Sequence, residues 1–242
     1  MSVDIKDKIA LVTGANRGIG ASIVESFFAA GAKKIYAAVR QLDSAKELTE
    51  KYGDKLVPVH LDLEKPETIQ ELAKTAADVQ VVVNNAGVLI PATPLADDAE
   101  QNLQQELTIN TFGLLRVAKV MTPIIESNGG GAFVQLNSVA SIKNFLGLTT
   151  YSASKAATYS ITQGLREELS DKGIAVLSVH PGPIDTNMAA TGGMTDIAEP
   201  TSVVSEGIVA ALKAGDFHLF PDSMAKDFGQ AFHSYAKEII ES

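Results

Sequence analysis

Short apolar runs rich in β-branched residues alternate with longer segments of helical periodicity along almost all of this 242-residue chain. The apolar runs are continuous, which is typical of strands buried on both faces of a parallel sheet. Strands are predicted at residues 9–12, 34–39, 56–59, 79–83, 132–136 and 174–179, with a weaker strand at residues 217–220.

Helices are predicted between these strands. The first begins near Gly18, has Ile19, Ile23 and Phe27 on one face, and ends at Gly31. Strand and helix alternating at this spacing predict right-handed βαβ units. We therefore expect an α/β fold with a doubly wound parallel sheet of about seven strands, flanked by helices on both faces. The other helices are predicted at residues 44–52, 67–76, 100–126, 150–171 and 202–213.

Composition narrows the classes of function. The length fits a single domain, residues 1–242, since roughly 200–250 residues can fold as one α/β unit. A formal net charge of −9 argues against a general affinity for nucleic acid or acidic lipid. The absence of cysteine excludes disulfides, thiolate nucleophiles and cysteine-ligated metals. The charged N-terminus has no apolar signal region, and no apolar run approaches the ~20 residues of a membrane span, so we expect a cytoplasmic protein.

Two further features bear on the site. The four histidines show no metal-ligand spacing, so no metal site is predicted, and His180, beside Pro181, is expected to be structural.

The least regular stretch, residues 188–200, follows the sixth predicted strand. Because loops at the carboxyl ends of strands line the ligand crevice of such sheets, this stretch is a candidate lid.

A glycine-rich loop, residues 13–20, joins the first strand to the first helix. Gly14 permits a tight turn, Gly18 lets the backbone approach a ligand, and Gly20 permits close contact between helix and strand. The helix N-terminus beyond offers free N–H groups and a positive dipole end to a pyrophosphate. The spacing is G-x-x-x-G-x-G and not G-x-G-x-x-G, so a turn required only for packing remains an alternative.

The end of the second strand predicts which dinucleotide binds. Sites for NAD place an acidic residue there, but this chain has Val39 followed by Arg40. A second arginine, Arg17, lies in the glycine-rich loop. Two guanidiniums are suited to clamp a 2′-phosphate, so NADP(H) is predicted over NAD(H). The alternative is that both are ordinary surface arginines.

Tyr151 and Lys155 lie four residues apart in a predicted helix, so their side chains share one face. A free phenol titrates near ~10, and a cation within about 4–6 Å lowers that pKa by roughly 1–3 units. The pair therefore suits acid/base chemistry near neutral pH. The spacing alone is common in helices, and its meaning depends on Ser138, thirteen positions before Tyr151.

Taken in order, these motifs resemble those of the classical short-chain dehydrogenases/reductases. The glycine-rich loop, Tyr151 and Lys155 are joined by a set of further matches, and the resemblance covers practically the whole chain. It implies a single-domain Rossmann-type fold that binds both cofactor and substrate. The further matches are Asn84-Asn85-Ala86-Gly87, Asn110, Ser138 and Pro181-Gly182.

The resemblance implies four catalytic residues. Tyr151 would be the general acid/base, Ser138 would hydrogen-bond the reacting oxygen, and Lys155 would lower the tyrosine pKa and bind the nicotinamide ribose. Asn110 would orient a water molecule that links Lys155 to solvent. An alternative for Asn110 is a buried polar residue that bridges a helix distortion.

The resemblance also implies the cofactor contacts. Asp62 and Leu63 would lie at the adenine, and Ile184 and Thr186 at the nicotinamide carboxamide. Alternatives remain for Asp62 as a loop residue and for residues 84–85 as partners of backbone groups at a strand end. The full predicted set is Gly14, Asn16, Arg17, Gly18, Ile19, Gly20, Arg40, Asp62, Leu63, Asn85, Ala86, Gly87, Tyr151, Lys155, Pro181, Gly182, Ile184 and Thr186.

The expected function is an NADP(H)-dependent oxidoreductase that acts on a ketone or aldehyde, or on a secondary alcohol. A non-catalytic NADP(H) sensor on the same fold is the main alternative, although it would not need the acid/base pair. An extended-type epimerase or dehydratase is disfavoured by the loop spacing.

A homotetramer or homodimer is expected from the small-residue face of the helix around Ala153. An apolar substrate cavity is predicted from Ala140, Phe145, Leu148, Ile184 and Met188.

Overall fold

The structure, a computed structural model, describes residues 1–241, so only Ser242 of the predicted domain lies outside it. Seven parallel strands form one sheet in the order β3-β2-β1-β4-β5-β6-β7, which confirms the predicted doubly wound topology. The strands are β1 Ile9–Thr13, β2 Lys34–Val39, β3 Leu56–His60, β4 Val81–Asn84, β5 Gly131–Leu136, β6 Ile174–Val179 and β7 His218–Leu219.

Most strand boundaries differ from the prediction by one residue at most, and two strands, β4 and β7, lack apolar residues that the prediction assigned to them. Val79 is buried but precedes β4, because its amide bonds to the Ala76 carbonyl in a turn. The last strand is shorter than residues 217–220 and pairs with β6 only through His218 and Leu219. In both cases an apolar residue is buried beside the sheet without joining its ladder.

Helices cover both faces of the sheet. The strand residues point alternately into two hydrophobic layers, one packed against α1 and α8 and the other against α3, α5 and α6. Two helices, α7 and α9, were not predicted from the sequence, although Phe228, Phe232 and Tyr235 in α9 recur at helical spacing behind the N-cap Asp222. The helices are α1 Gly18–Ala29, α2 Lys46–Tyr52, α3 Pro66–Thr75, α4 Ala99–Glu106, α5 Gly113–Ser127, α6 Thr149–Leu169, α7 Asn187–Thr191, α8 Ser202–Ala214 and α9 Ser223–Tyr235.

The prediction of one continuous helix at residues 100–126 is wrong. A π-helical segment, Leu107–Phe112, separates α4 from α5. Such segments widen a helix by one residue per turn and are frequent at functional sites. Asn110 lies in this segment and is buried, but its side chain bonds to Val88 and Ser154 and does not bridge the distortion.

The candidate lid, residues 188–200, is more regular than its composition predicts. It contains most of α7 and a short 3₁₀ turn at Thr195–Ile197, and a bridge between Ile184 and Glu199 closes its two ends. Over the described length of the chain, no helix is both long and apolar enough to cross a membrane.

Candidate active site

The glycine-rich loop turns at the carboxyl end of β1, where the order of the sheet reverses. Gly14 and Gly18 have φ values of +65° and +53°, which are left-handed conformations that favour glycine. A Cβ on Gly20 would overlap the Gly14 carbonyl oxygen and lie 2.8 Å from Asn85 Nδ2. The predicted reasons for glycine at 14 and at 20, a tight turn and a close helix contact, therefore apply here.

Asn85 joins this loop to the neighbouring strand β4. Its side-chain amide donates to the Thr13 carbonyl at 2.8 Å, and its main-chain amide donates to Thr13 Oγ1 at 2.9 Å. Asn84 donates in turn to Gln135 Oε1 at 2.8 Å. Asn85 thus bonds a backbone group at a strand end, as in the alternative interpretation of this motif, and it also lines the cleft.

A cleft of about 980 Å³ runs along the carboxyl ends of the central strands. Among the predicted cofactor residues, fifteen line it: Gly14, Asn16, Arg17, Gly18, Ile19, Gly20, Arg40, Asp62, Leu63, Asn85, Ala86, Gly87, Lys155, Pro181 and Thr186. Within the described part of the chain, the N-cap residue Arg17 forms no side-chain capping bond at α1, and the first turn of this helix lines the same cleft. The glycine cradle, the uncapped helix end and the length of the cleft fit a dinucleotide.

Three of the predicted cofactor residues, Tyr151, Gly182 and Ile184, do not line this cleft. The Gly182 amide donates to Asp222 Oδ2 at 2.7 Å, so it anchors the segment before α9. Ile184 is buried in the hydrophobic layer that also contains the apolar residues of α8, so its side chain lies in the core. Thr186 instead reaches the cleft and caps α7 by accepting a bond from the Ala189 amide at 3.3 Å.

Arg17 and Arg40 both lie exposed at the wall of the cleft, beside Val39. Among residues 1–241 neither guanidinium forms an ion pair with a carboxylate. Ser44 and Gln41, which the sequence analysis did not select, line the same part of the cleft. Two unpaired cations and two neutral polar side chains form a surface suited to an anion.

Tyr151 and Lys155 lie side by side on α6, as predicted, and both are buried. The Lys155 nitrogen is 5.8 Å from the centre of the Tyr151 ring. It also donates a hydrogen bond to the Leu136 carbonyl at 2.7 Å, at the carboxyl end of β5. The helix and the strand together therefore hold the ammonium beside the phenol.

Ser138 lies two residues beyond β5. Its hydroxyl donates to the Pro181 carbonyl at 3.3 Å and accepts a bond from the Ala140 amide at 3.1 Å. The Ser138 hydroxyl also opposes the rise in the Tyr151 pKa through a side-chain hydrogen bond, so it lies beside the phenol. The structure thus brings Ser138, Tyr151 and Lys155 together.

The lower Tyr151 pKa expected from Lys155 is not found. Burial raises the pKa of the Tyr151 phenol well above its ordinary value, against the opposing effect of Ser138, and the Glu106 carboxylate raises it further. Burial also lowers the pKa of Lys155 to about 8, although Glu106 opposes that change. The spacing in the sequence predicts that the two groups are close. It does not show that the cost of removing both groups from water outweighs the attraction between their charged forms.

Asn110 is held on the other side of Lys155. Its side-chain oxygen accepts from the Val88 amide and its side-chain nitrogen donates to the Val88 carbonyl, both at 2.9 Å. The same nitrogen donates to Ser154 Oγ at 3.0 Å. A Cβ on Gly87 would lie 3.0 Å from Asn110 Oδ1 and 3.9 Å from Lys155 Nζ, so this glycine leaves open the space between the two side chains. That space is where the predicted water would lie.

A small apolar cluster surrounds Tyr151 outside the main core. Leu89 and Ala140 are buried against it, and four partly buried side chains pack on the cluster: Phe145, Leu148, Met188 and Met194. The predicted cavity residues are grouped here, apart from Ile184, which lies in the main core. Leu89 and Met194 are additions that their spacing in the sequence does not indicate.

A family model described as short chain dehydrogenase matches residues 8–195, well over half of the chain. The matched stretch contains the glycine-rich loop, the π-helical Asn110, Ser138 and the Tyr151–Lys155 pair. The chain belongs to the short-chain dehydrogenase family. The predicted resemblance is thereby confirmed, and the protein is an oxidoreductase of this family.

Individual relatives of this short-chain dehydrogenase agree over most of its length. An uncharacterized oxidoreductase of Staphylococcus aureus is 33% identical over 86% of this chain and 92% of its own. An NADP-dependent 3-hydroxy acid dehydrogenase of Schizosaccharomyces pombe is 30% identical over 75% of this chain and 73% of its own. A Burkholderia cenocepacia short chain dehydrogenase solved in complex with NADP is 30% identical, with a TM-score of 0.87 over 99% of this chain and 97% of that one.

Glu106 is the main site residue of this dehydrogenase that sequence reasoning missed. It is fully buried at the end of α4, where Oε1 accepts a bond from the Ile90 amide at 2.8 Å. Burial raises its pKa, although the Ile90 amide, Thr150 and Lys155 oppose the rise. Its position four residues before Asn110 was an available signal, because that spacing places both side chains on one helix face.

Proposed function

We propose that this short-chain dehydrogenase is an NADP(H)-dependent carbonyl reductase, equivalently a secondary-alcohol dehydrogenase, with Tyr151 as its general acid/base. The observation that carries the proposal is the buried Tyr151–Lys155 pair beside the Ser138 hydroxyl, at the inner end of a dinucleotide-shaped cleft. A binding-only module has no need of this arrangement.

In the reductive direction a bound nicotinamide supplies a hydride to the carbonyl carbon. Ser138 Oγ orients the carbonyl oxygen, and the Tyr151 hydroxyl transfers its proton to that oxygen as it becomes an alcohol. The raised pKa of Tyr151 keeps the phenol protonated at neutral pH, which is the form that a general acid requires. The phenolate left behind is costly in a buried site, and the Lys155 ammonium stabilises it.

The proton returns to Tyr151 through Lys155 and the space beside Asn110. Lys155 also holds the nicotinamide ribose, since this residue lines the cleft. Asn110 orients a water molecule between Lys155 and solvent. In the oxidative direction the same groups act in reverse, and Tyr151 accepts the proton of the alcohol.

NADP(H) is the proposed cofactor. Arg17 and Arg40 are unpaired among the described residues, and the acidic residue that would bind an unmodified ribose is replaced by Val39. A relative at 30% identity is solved in complex with NADP, and another is named as NADP-dependent. The adenine is proposed to lie at Asp62 and Leu63, which border the cleft beyond β3.

The substrate is proposed to enter beneath residues 188–200, the candidate lid. Met188 and Met194 from this segment pack on the apolar cluster around Tyr151. Thioether side chains adapt to ligands of varied shape. A carbonyl compound with an apolar substituent therefore fits the site.

The protein is further proposed to form a homodimer or homotetramer. Ala153, Ala156 and Ser160 form an exposed stripe on α6 that permits close approach of another helix. Multi-angle light scattering measures the assembly directly, and a monomer at micromolar concentration would contradict this part of the proposal.

The central test is Tyr151→Phe, followed by NADPH absorbance with a panel of ketones and aldehydes. We expect turnover to fall by about 100-fold or more, while NADPH binding measured by fluorescence is retained. Tyr235→Phe is the matched control, since this tyrosine is exposed on α9. Wild-type turnover in Tyr151→Phe would refute the mechanism. A wild-type protein that binds NADPH yet oxidises it with no carbonyl would favour the sensor instead.

A further inference from the structure

His180 lies directly after β6 and is completely buried. It precedes Pro181, whose carbonyl accepts the hydrogen bond of Ser138 Oγ. Neither its spacing nor the proposed chemistry assigns it a role in the reaction. Its contacts, however, converge on Ser138.

Both ring nitrogens of His180 have partners. Nδ1 lies 3.2 Å from the Ser138 carbonyl oxygen and 3.0 Å from Ser141 Oγ. Nε2 lies 2.7 Å from Ser178 Oγ. The Ser141 hydroxyl also donates to the Ser138 carbonyl. Two side chains, those of Ser141 and Ser178, and one main-chain carbonyl thus meet at a single imidazole.

The protonation of the ring follows from these partners. A carbonyl oxygen only accepts hydrogen bonds, so Nδ1 must carry the proton to bond Ser138. Ser178 Oγ already accepts from Asn137 Nδ2 at 2.8 Å and is free to donate to Nε2. Burial lowers the pKa of His180 to about 3, so the ring stays neutral with a single proton on Nδ1.

Aromatic neighbours fix the plane of the ring. The Tyr159 ring meets it edge-on at 4.7 Å between centroids, and the Phe220 ring stacks on it at 5.1 Å. An imidazole packed against two aromatic rings and bonded at both nitrogens has little freedom to rotate. It is therefore a rigid donor directed at the Ser138 main chain.

The same network reaches Lys155. Asn137 Oδ1 accepts from the Thr158 hydroxyl at 2.7 Å, and that hydroxyl also lies 2.8 Å from the Lys155 main-chain carbonyl. A continuous chain of bonds therefore joins the end of β5, the end of β6 and helix α6. These are the elements that carry Ser138 and the Tyr151–Lys155 pair.

We propose that His180 is a positioning residue for Ser138, and that its Nδ1–H holds the Ser138 carbonyl so that Oγ is directed at the reacting oxygen. This inference rests on the proposed role of Ser138. His180 touches neither substrate nor cofactor in this scheme. It acts through the backbone that it holds.

Two substitutions separate this role from simple packing. In His180→Asn the side-chain nitrogen occupies nearly the position of Nδ1 and keeps the donor to Ser138. In His180→Gln the side-chain oxygen occupies nearly the position of Nε2 and keeps only the acceptor for Ser178. Both replace an aromatic ring by an amide, so both lose similar packing.

We expect kcat for carbonyl reduction to fall about 10- to 100-fold in His180→Gln and by no more than about 3-fold in His180→Asn. The KM for NADPH is expected to stay unchanged in both, and thermal unfolding shows that each is folded at the assay temperature. Equal values of kcat in the two variants would overturn the inference.

Ser138→Ala, measured in the same series, tests the proposed role of Ser138 separately from the positioning role of His180. If Ser138→Ala keeps wild-type kcat, the proposed function of Ser138 fails. If Ser138→Ala loses activity while the two His180 variants remain equal, only the positioning role fails. In the wild-type protein, the ¹⁵N shifts of the His180 ring at pH 7 should show a proton on Nδ1, assigned by its loss in His180→Asn. A proton on Nε2 would also overturn the inference.

Discussion

The Lys155 ammonium donates to the Leu136 main-chain carbonyl at 2.7 Å, so a strand end and not a carboxylate orients the proposed catalytic lysine. Within residues 1–241 no ion pair neutralises this buried cation. A buried charge without a close counterion lowers the stability of a fold. The fall in the Lys155 pKa to about 8 has the same physical cause.

Replacing this lysine by an apolar residue should therefore stabilise the protein while removing its activity. For Lys155→Met we expect the free energy of unfolding at pH 7 to rise by about 1–3 kcal/mol, because the cost of burying the charge outweighs the lost hydrogen bond. Carbonyl reduction should fall by about 100-fold or more. Urea unfolding and NADPH turnover measure the two effects, with the exposed Lys119→Met on α5 as control. A variant less stable than the wild type would contradict the argument.

The stabilising effect of Lys155→Met should decrease as the pH rises. The pKa of Lys155 is lower in the folded than in the unfolded chain, so the folded protein releases this proton first as pH rises. The cost of burying the charge is complete at pH 7 and declines from about pH 8 towards 10.5, the ordinary pKa of lysine. The advantage of Lys155→Met over the wild type should therefore shrink between pH 7 and pH 9.5.

Much of the fold could be predicted because its determinants are local. The central strands are apolar runs buried on both faces, and the connecting helices have their own periodicity. The π-helical segment around Asn110 could not be predicted in this way. Its register depends on bonds to Val88, which is distant in sequence and reaches Asn110 only in the folded chain.

The residues of the site could be predicted from the sequence more completely than the pKa values of those residues. Order along the chain brings Ser138, Tyr151 and Lys155 to one end of the sheet. The direction of the Tyr151 pKa depends on how completely surrounding side chains exclude water, and on Glu106, which arrives from α4. Neither of these effects has a local pattern in the sequence.

Arg40→Ala should change the choice of dinucleotide. A charge-assisted hydrogen bond contributes about 1.5–3 kcal/mol, so kcat/KM for NADPH should fall about 10- to 100-fold, while kcat/KM for NADH stays nearly constant. Lys46→Ala is the matched control, because it removes a nearby exposed cation that does not line the cleft. Unchanged NADPH preference in Arg40→Ala, or a wild-type preference for NADH, would refute the assignment.

Two glycine-to-alanine substitutions should act in opposite directions. In Gly20→Ala the new methyl group would overlap the Gly14 carbonyl, so we expect the free energy of unfolding to fall by about 2–3 kcal/mol and dinucleotide binding to weaken. In Gly164→Ala the methyl group meets no atom within 4 Å on the exposed side of α6. Alanine should there stabilise the helix by about 0.5–1 kcal/mol. Chemical denaturation measures both, and equal effects would show that the glycine-rich loop is not tightly packed.

The alkaline limit of carbonyl reduction should follow Lys155. Tyr151 stays protonated in the neutral range because burial raises its pKa, so loss of the Lys155 charge is the first titration to impair the reaction. We expect log kcat/KM to be level near pH 7 and to decline above about pH 8. A profile that stays level to pH 10 would exclude a role for the charged lysine.

Glu106→Gln provides a specific test of this assignment. The Glu106 carboxylate raises the pKa of Lys155, so its removal should move the decline to lower pH while the rate near pH 6.5 changes by no more than about 3-fold. Glutamine keeps an oxygen that can accept the bond from the Ile90 amide, which preserves the local fold. Glu100→Gln makes the same chemical change at an exposed position of α4 and should leave the profile unchanged. If Glu106→Gln moves the decline to higher pH, or both variants behave alike, a group other than Lys155 sets the alkaline limit.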